Sequence, residues 1–183
     1  MNIEQPTGVS YSPYNKEEVH TLLKFIKQTN KHKKIGLISG CWDVIHAGHV
    51  HHVQEAKTNV DILVAMVAVN SAINKGEGRP YMDECDRLYV MAHIYGIQYA
   101  FFNHYPNTVE AITFLQPDIY FKSYQYNGLE IEGNLLLEKQ EVEKHGGKLM
   151  FTKHVSERSS TKFYTMLSKV YENSKQLKQD FID

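Results

Sequence analysis

Two histidines, His46 and His49, flank Ala47-Gly48 directly after an apolar run, Ile35 to Ser39, and at the head of an amphipathic segment. Where a strand gives way to a helix, the free N–H groups of the first turn and the helix dipole favour an anion. Imidazoles at i and i+3 point the same way, and Gly48, with no Cβ, lets a phosphate approach the backbone. Both rings can donate to phosphate oxygens as charge builds in a displacement; losing such a donor typically costs about 3 kcal/mol of barrier. The alternative reading is helix-capping or surface histidines in a chain with 10 of them, and His51 and His52 are read that way. A metal site from Cys41, His46, His49 and His51 is disfavoured, because the spacing puts the ligands on different faces.

Three further segments carry charge or hydroxyls suited to phosphate. Asn70–Tyr81 holds Gly76, Gly78, Pro80, Lys75 and Arg79. It is either a basic loop that clamps a ligand on closure or an ordinary connection. Ser159-Ser160-Thr161-Lys162 opens the last helical segment, where hydroxyls and free N–H groups hold phosphate or simply cap the helix. In Asp83-Glu84-Cys85-Asp86-Arg87 the acidic residues suit a first helical turn, and Arg87 supplies a guanidinium able to grip phosphate in a bidentate manner.

The elements that must position these groups alternate. Helical spacing predicts a helix over Lys16–Gln28, then strand Lys34–Ser39, helix Ala47–Thr58 and strand Asp61–Val69. The last is almost unbroken in its apolar character, as in a strand buried on both faces of a parallel sheet. Helix Asp83–Tyr95, strand Gln98–Phe102, helix Thr108–Leu115 and strand Asp118–Lys122 follow. Helix Leu135–His145 is stopped by Gly146-Gly147, ahead of strand Lys148–Thr152 and a last helix from Thr161 to Lys178. This pattern predicts an α/β fold: one doubly wound, parallel, five-stranded sheet with helices on both faces. Ligands of such sheets bind at the carboxyl ends of the strands, which is where His46 and His49 fall.

The 183 residues suit one core, read as a loose arm over 1–15 and one domain over 16–183. A net charge of −1 gives no field to attract nucleic acid or a membrane surface. No run is long and apolar enough to span a bilayer, and Met1–Tyr14 lacks the apolar core of a signal peptide. Cys41 and Cys85 suggest neither a disulfide framework nor a zinc site. A cytoplasmic protein is expected.

Gly40-Cys41-Trp42-Asp43, His46-Ala47-Gly48-His49, Asn74-Lys75-Gly76-Glu77-Gly78-Arg79-Pro80, Asp86-Arg87 and Ser159-Ser160-Thr161-Lys162, in this order, resemble the cytidylyltransferase-like nucleotidyltransferases. The pattern is most similar to the nucleotidyltransferase domain of ADP-heptose synthase, and more distantly to glycerol-3-phosphate cytidylyltransferase. The resemblance runs from about Lys34 to Lys162. It implies a Rossmann-like fold and transfer of a nucleoside monophosphate from CTP or ATP to a phosphorylated sugar or polyol, with release of pyrophosphate. It also implies roles. His46, His49 and Lys75 would be catalytic. Gly40, Cys41, Trp42, Gly48, Lys122, Ser159, Ser160 and Thr161 would bind the nucleotide. Asp43, Arg79 and Arg87 would bind the substrate. A Mg2+ ion would offset the triphosphate charge, and a homodimer is expected.

The chain departs from the family after the fourth strand. The usual Lys-Gly-Gly-Asp-Tyr is here Lys122-Ser123-Tyr124-Gln125-Tyr126, so side chains stand where bare backbone would meet a nucleotide. His154 aligns with a common arginine, Arg158 with a position usually apolar or aromatic, and Tyr126–Asn134 is an insert that could help form the acceptor site. The second reading, resting on the altered segment, is a nucleotide-binding regulatory protein of the same fold without turnover.

Overall fold

Side chains of a strand alternate between faces, and the apolar runs of this chain fill both. Strand β1 (Ile35–Gly40) is the middle of a parallel sheet, with β2 (Ile62–Ala68) then β3 (Tyr99–Asn103) on one side, and β4 (Ile119–Lys122) then β5 (Lys148–Phe151) on the other. Along β2, Ile62, Val64 and Met66 enter one core while Leu63, Ala65 and Val67 enter the other, so no polar residue is tolerated there. Helices α1 (Lys16–Thr29), α4 (Val109–Leu115) and α5 (Gly133–Lys144) cover the first core; α2 (Ala47–Thr58) and α3 (Glu84–Ala92) cover the second. Helix α6 (Ser160–Asp180) follows.

The computed structural model describes residues 15–128, 130–153 and 159–180, with side chains as far as Tyr171. Of the arm expected over 1–15 only Asn15 is described. It caps α1, accepting from Glu18 N at 3.0 Å while its own N–H donates to the Glu18 carboxylate at 2.8 Å. His154, Arg158 and part of the Tyr126–Asn134 insert lie outside the described residues.

The order 3-2-1-4-5 reverses between β1 and β4, which opens a crevice at their carboxyl ends. Element boundaries fall within a few residues of the expected ones. The largest difference is α3, which stops at Ala92 rather than Tyr95. Beyond His93 the chain turns through Gly96, at φ +107°, to bring Ile97 back into the core. Among the described residues no helix is long and apolar enough to cross a membrane.

Candidate active site

A groove of about 600 Å³ runs along the carboxyl ends of the strands. One wall comes from the β1–α2 junction, the loop after β2 and the start of α6; the other from the β3–α4 loop, the end of β4 and α5.

The β1–α2 junction is tightly wound. Trp42 and Val44 both lie in the left-handed region, at φ 57° and 51°, a conformation that is unusual for a β-branched residue and persists only where surroundings enforce it. The enforcing contacts are visible. Trp42 Nε1 donates to Met66 O at 2.9 Å, and its indole lies against Gly40, where a Cβ would come within 3.2 Å of the ring. The Asp43 carboxylate, 2% exposed, accepts from Tyr81 N and Met82 N at 3.1 Å and from Tyr164 Oη at 2.5 Å. Burial alone would raise its pKa, but these hydrogen bonds and nearby Arg87 outweigh that and hold it below the ordinary value.

Arg87 is fully buried. Nε donates to Met82 O at 3.1 Å, Nη1 to Cys41 O at 2.6 Å and Ala68 O at 2.7 Å, and Nη2 to Asn70 Oδ1 at 2.6 Å. In this structure the charged groups of Asp43 and Arg87, expected to bind the substrate, brace the ends of β1 and β2 and the 70–82 loop against each other.

His46 is the N-cap of α2 and His49 its third residue, and their rings stack with centroids 3.9 Å apart. His49 Nδ1 accepts from His46 N at 3.4 Å, which assigns the ring proton to Nε2. Burial, aided by His46, His52 and Lys75, pulls the His49 pKa down to about 3; burial lowers that of His46 as well. Both rings are therefore neutral donors at pH 7. His46 Nδ1 is buried with no hydrogen-bond partner among the described residues, a state that calls for a ligand or water.

Lys75 is exposed at the tip of a loop whose Gly76 and Gly78 adopt φ +89° and +73°. Arg79 packs over the Tyr164 ring at 4.3 Å, with Nη1 3.5 Å from Thr161 Oγ1 and Nε without a hydrogen-bond partner among the described residues. The hydroxyls opening α6 divide. Ser159 caps the helix, accepting from Lys162 N at 3.2 Å, and Ser160 donates to Asp43 O at 2.6 Å. Thr161 accepts from Arg79 at 3.5 Å. Gly40, Cys41, Gly48 and Lys122 also line the groove.

Sequence reasoning missed two side chains here. His52 is no surface histidine: it is buried, its Nδ1 lies 2.8 Å from Thr152 Oγ1, and its ring stacks on Trp42. Burial foremost, then Lys122, pulls its pKa down to about 4. Its spacing from Val53 and Ala56, both buried, was the available signal. Glu138, 3% exposed, sits on the inner face of α5 in step with Leu135 and Val142, and forms an ion pair with Lys122 at 2.9 Å.

With that geometry in view, comparison with known proteins is decisive. The model of the family described as Cytidylyltransferase-like matches residues 37–165. The chain belongs to that family. Relatives include the Bifunctional protein HldE of Campylobacter jejuni (strain RM1221), 32% identical over 130 residues, covering 70% of this chain and 27% of that protein. That of Aliarcobacter butzleri (strain RM4018) is 28% identical over 161 residues, covering 87% and 31%. The chain thus spans about a third or less of the length of these relatives. Among solved structures, the lipopolysaccharide core biosynthesis protein from Thermoplasma volcanium GSS1 aligns with a TM-score of 0.57 at 25% identity, covering 68% of this chain and 99% of that one. The residues matched by the family model enclose both histidines, the Lys75 loop and the start of α6.

Proposed function

We propose that this member of the family transfers a nucleoside monophosphate from CTP or ATP to a phosphorylated sugar or polyol, releasing pyrophosphate. The observation that carries the reading is the convergence of neutral, stacked His46 and His49 with Lys75, Arg79 and Thr161, from three separate elements, on one wall of the groove. A phosphate oxygen of the acceptor attacks the α-phosphorus in line, forming the new P–O bond. The bond to the oxygen bridging the α- and β-phosphorus breaks, and the pair of electrons leaves with pyrophosphate. His46 and His49 donate to the α-phosphate oxygens as their charge grows. Lys75, Arg79 and Thr161 hold the departing phosphates.

Magnesium fits this reading as the counter-ion that arrives with the triphosphate. Among the described residues the groove's own carboxylates, Asp43 and Glu138, are committed to Tyr81, Met82 and Tyr164 and to Lys122. When bound, the ion would offset phosphate charge.

The relatives named HldE and the lipopolysaccharide core biosynthesis protein support a sugar phosphate as the acceptor. The test is pyrophosphate release from CTP or ATP with magnesium and a panel of phosphorylated sugars and polyols. Release with at least one acceptor is expected. Tight nucleotide binding with no release for any acceptor would favour the regulatory reading instead, which rests on Tyr124 and Tyr126 projecting from the turn after β4.

A further inference from the structure

Lys122 and Glu138 form the one cation–carboxylate contact on the α4–α5 wall of the groove among the described residues. Their surroundings distinguish this pair from the phosphate-facing wall. The Glu138 carboxylate accepts from Thr108 N at 2.9 Å and Tyr120 Oη at 3.0 Å besides Lys122, so it is fixed from three directions. The Thr108 hydroxyl in turn contacts Ser39 Oγ at 2.5 Å and Tyr120 Oη at 3.2 Å. This network joins the ends of β1 and β4 to the starts of α4 and the flank of α5.

An ammonium has three N–H donors. Glu138 engages the ammonium at 2.9 Å, and Nζ lies over the rings of Tyr120 and Tyr126, 5.0 and 5.7 Å from their centroids. Lys122 lines the groove, so donor capacity remains on that wall, oriented by Glu138 and the two rings. The net charge of the pair is zero at that point. A neutral pair offers a strong directional donor with little attraction for a dianion, because the adjacent carboxylate repels phosphate about as much as the ammonium attracts it. Burial opposes the charged form of Lys122, but Tyr120 and Glu138 overcome it and hold its pKa above the ordinary value, so Lys122 stays an ammonium at neutral pH.

We propose that Glu138 is a positioning residue that cancels the charge of Lys122 and aims it at an uncharged hydroxyl of the ligand rather than at a phosphate. The hydroxyl belongs either to the ribose of the nucleotide or to the polyol of the acceptor. The inference rests on the nucleotidyl-transfer reading for the identity of those ligands, and its test does not need turnover.

The test is titration calorimetry on the full chain and its Lys122→Met and Glu138→Gln variants, with tripolyphosphate, CTP, ATP, their 2′-deoxy forms and the phosphorylated sugars. Loss of one charge-assisted hydrogen bond to an uncharged group predicts about tenfold weaker binding of the hydroxyl-bearing ligand in both variants. Tripolyphosphate affinity stays within about twofold in Lys122→Met, and it rises in Glu138→Gln, where the ammonium is no longer cancelled. A loss seen with the ribonucleotides and absent with the 2′-deoxy forms assigns the ribose; a loss confined to the sugar phosphates assigns the acceptor. Lys122→Met weakening tripolyphosphate as much as the nucleotide, or leaving every affinity unchanged, overturns the proposal whether or not Glu138→Gln folds. Pyrophosphate release absent while these affinities behave as expected overturns the transfer reading alone.

Discussion

On the α2 side of the groove, His46 and Arg79 each keep a nitrogen with no hydrogen-bond partner among the described residues, and Lys75 stands exposed beside Gly76. On the α5 side, Ser39, Thr108, Tyr120, Lys122 and Glu138 satisfy one another almost completely. The first wall has hydrogen-bonding capacity left for a charged ligand; the second is a rigid surface whose one ammonium, Lys122, is already paired with Glu138. A satisfied polar network fixes geometry, while open donors on a rigid support are what a transition state can use. The two arginines near the groove show the same contrast at one residue each. Arg87 is held by three carbonyls and Asn70, whereas Arg79 lies across Tyr164 with Nε lacking a partner among the described residues.

Exchanging the arginines breaks this comparison most sharply. Arg87→Met strands the carbonyls of Cys41, Ala68 and Met82 and is expected to lower the unfolding free energy by about 3–5 kcal/mol, the range for breaking a buried charged network. Arg79→Met should change stability by no more than about 0.5 kcal/mol and instead raise KM for the nucleotide. Denaturant melts and initial rates on the two variants separate these outcomes; equal stability loss in both would remove the distinction.

His49→Ala comes next. It removes a donor aimed at developing charge, so kcat for pyrophosphate release should fall by about 10²–10³, with nucleotide affinity nearly unchanged. A matching fall in affinity would mean that the ring binds the ground state instead.

A third expectation concerns pH. The folded-state pKa values of His49 and His52 lie at about 3 and about 4, against the ordinary 6.5 of an unfolded chain. Below pH 6.5 the unfolded chain takes up protons that the native rings refuse. Stability is therefore complete above that pH and declines as pH falls toward 4, by roughly 1.4 kcal/mol per unit for each histidine. His52→Gln should remove about half of that slope, as read from denaturant midpoints between pH 6.5 and 4.5. A slope unaltered by the substitution would place the proton uptake elsewhere.

The smallest effect is at Tyr164, whose hydroxyl ties α6 to Asp43. Tyr164→Phe should cost about 1 to 2 kcal/mol of stability, as for one hydrogen bond to a charged group, and should raise KM more than it lowers kcat by loosening Arg79 and Thr161 together.

Local chemistry made most of the fold legible. The unbroken apolar run at 62–68, the glycines at 146–147 and the hydroxyls at 159–161 each carry a pattern that a few neighbouring residues determine. His46 and His49 were legible for the same reason, since one helix start places both. The bracing role of Asp43 and Arg87 was not legible, because their partners are remote in sequence: Tyr164 for the first, Cys41 for the second. Residue type showed that a carboxylate and a guanidinium were present, and only the fold shows which groups they engage. Glu138 was hidden among Leu135, Leu136 and Leu137, although its helical step from Leu135 to Val142 marks the buried face.

The central claim, that the open wall supports attack at the α-phosphorus, is tested most directly by following a nucleoside triphosphate labelled at that atom. With an accepted sugar phosphate, the label should move into the sugar adduct and the released pyrophosphate should be unlabelled. Label that remains with free nucleotide for every acceptor, or that leaves as inorganic phosphate, would contradict it.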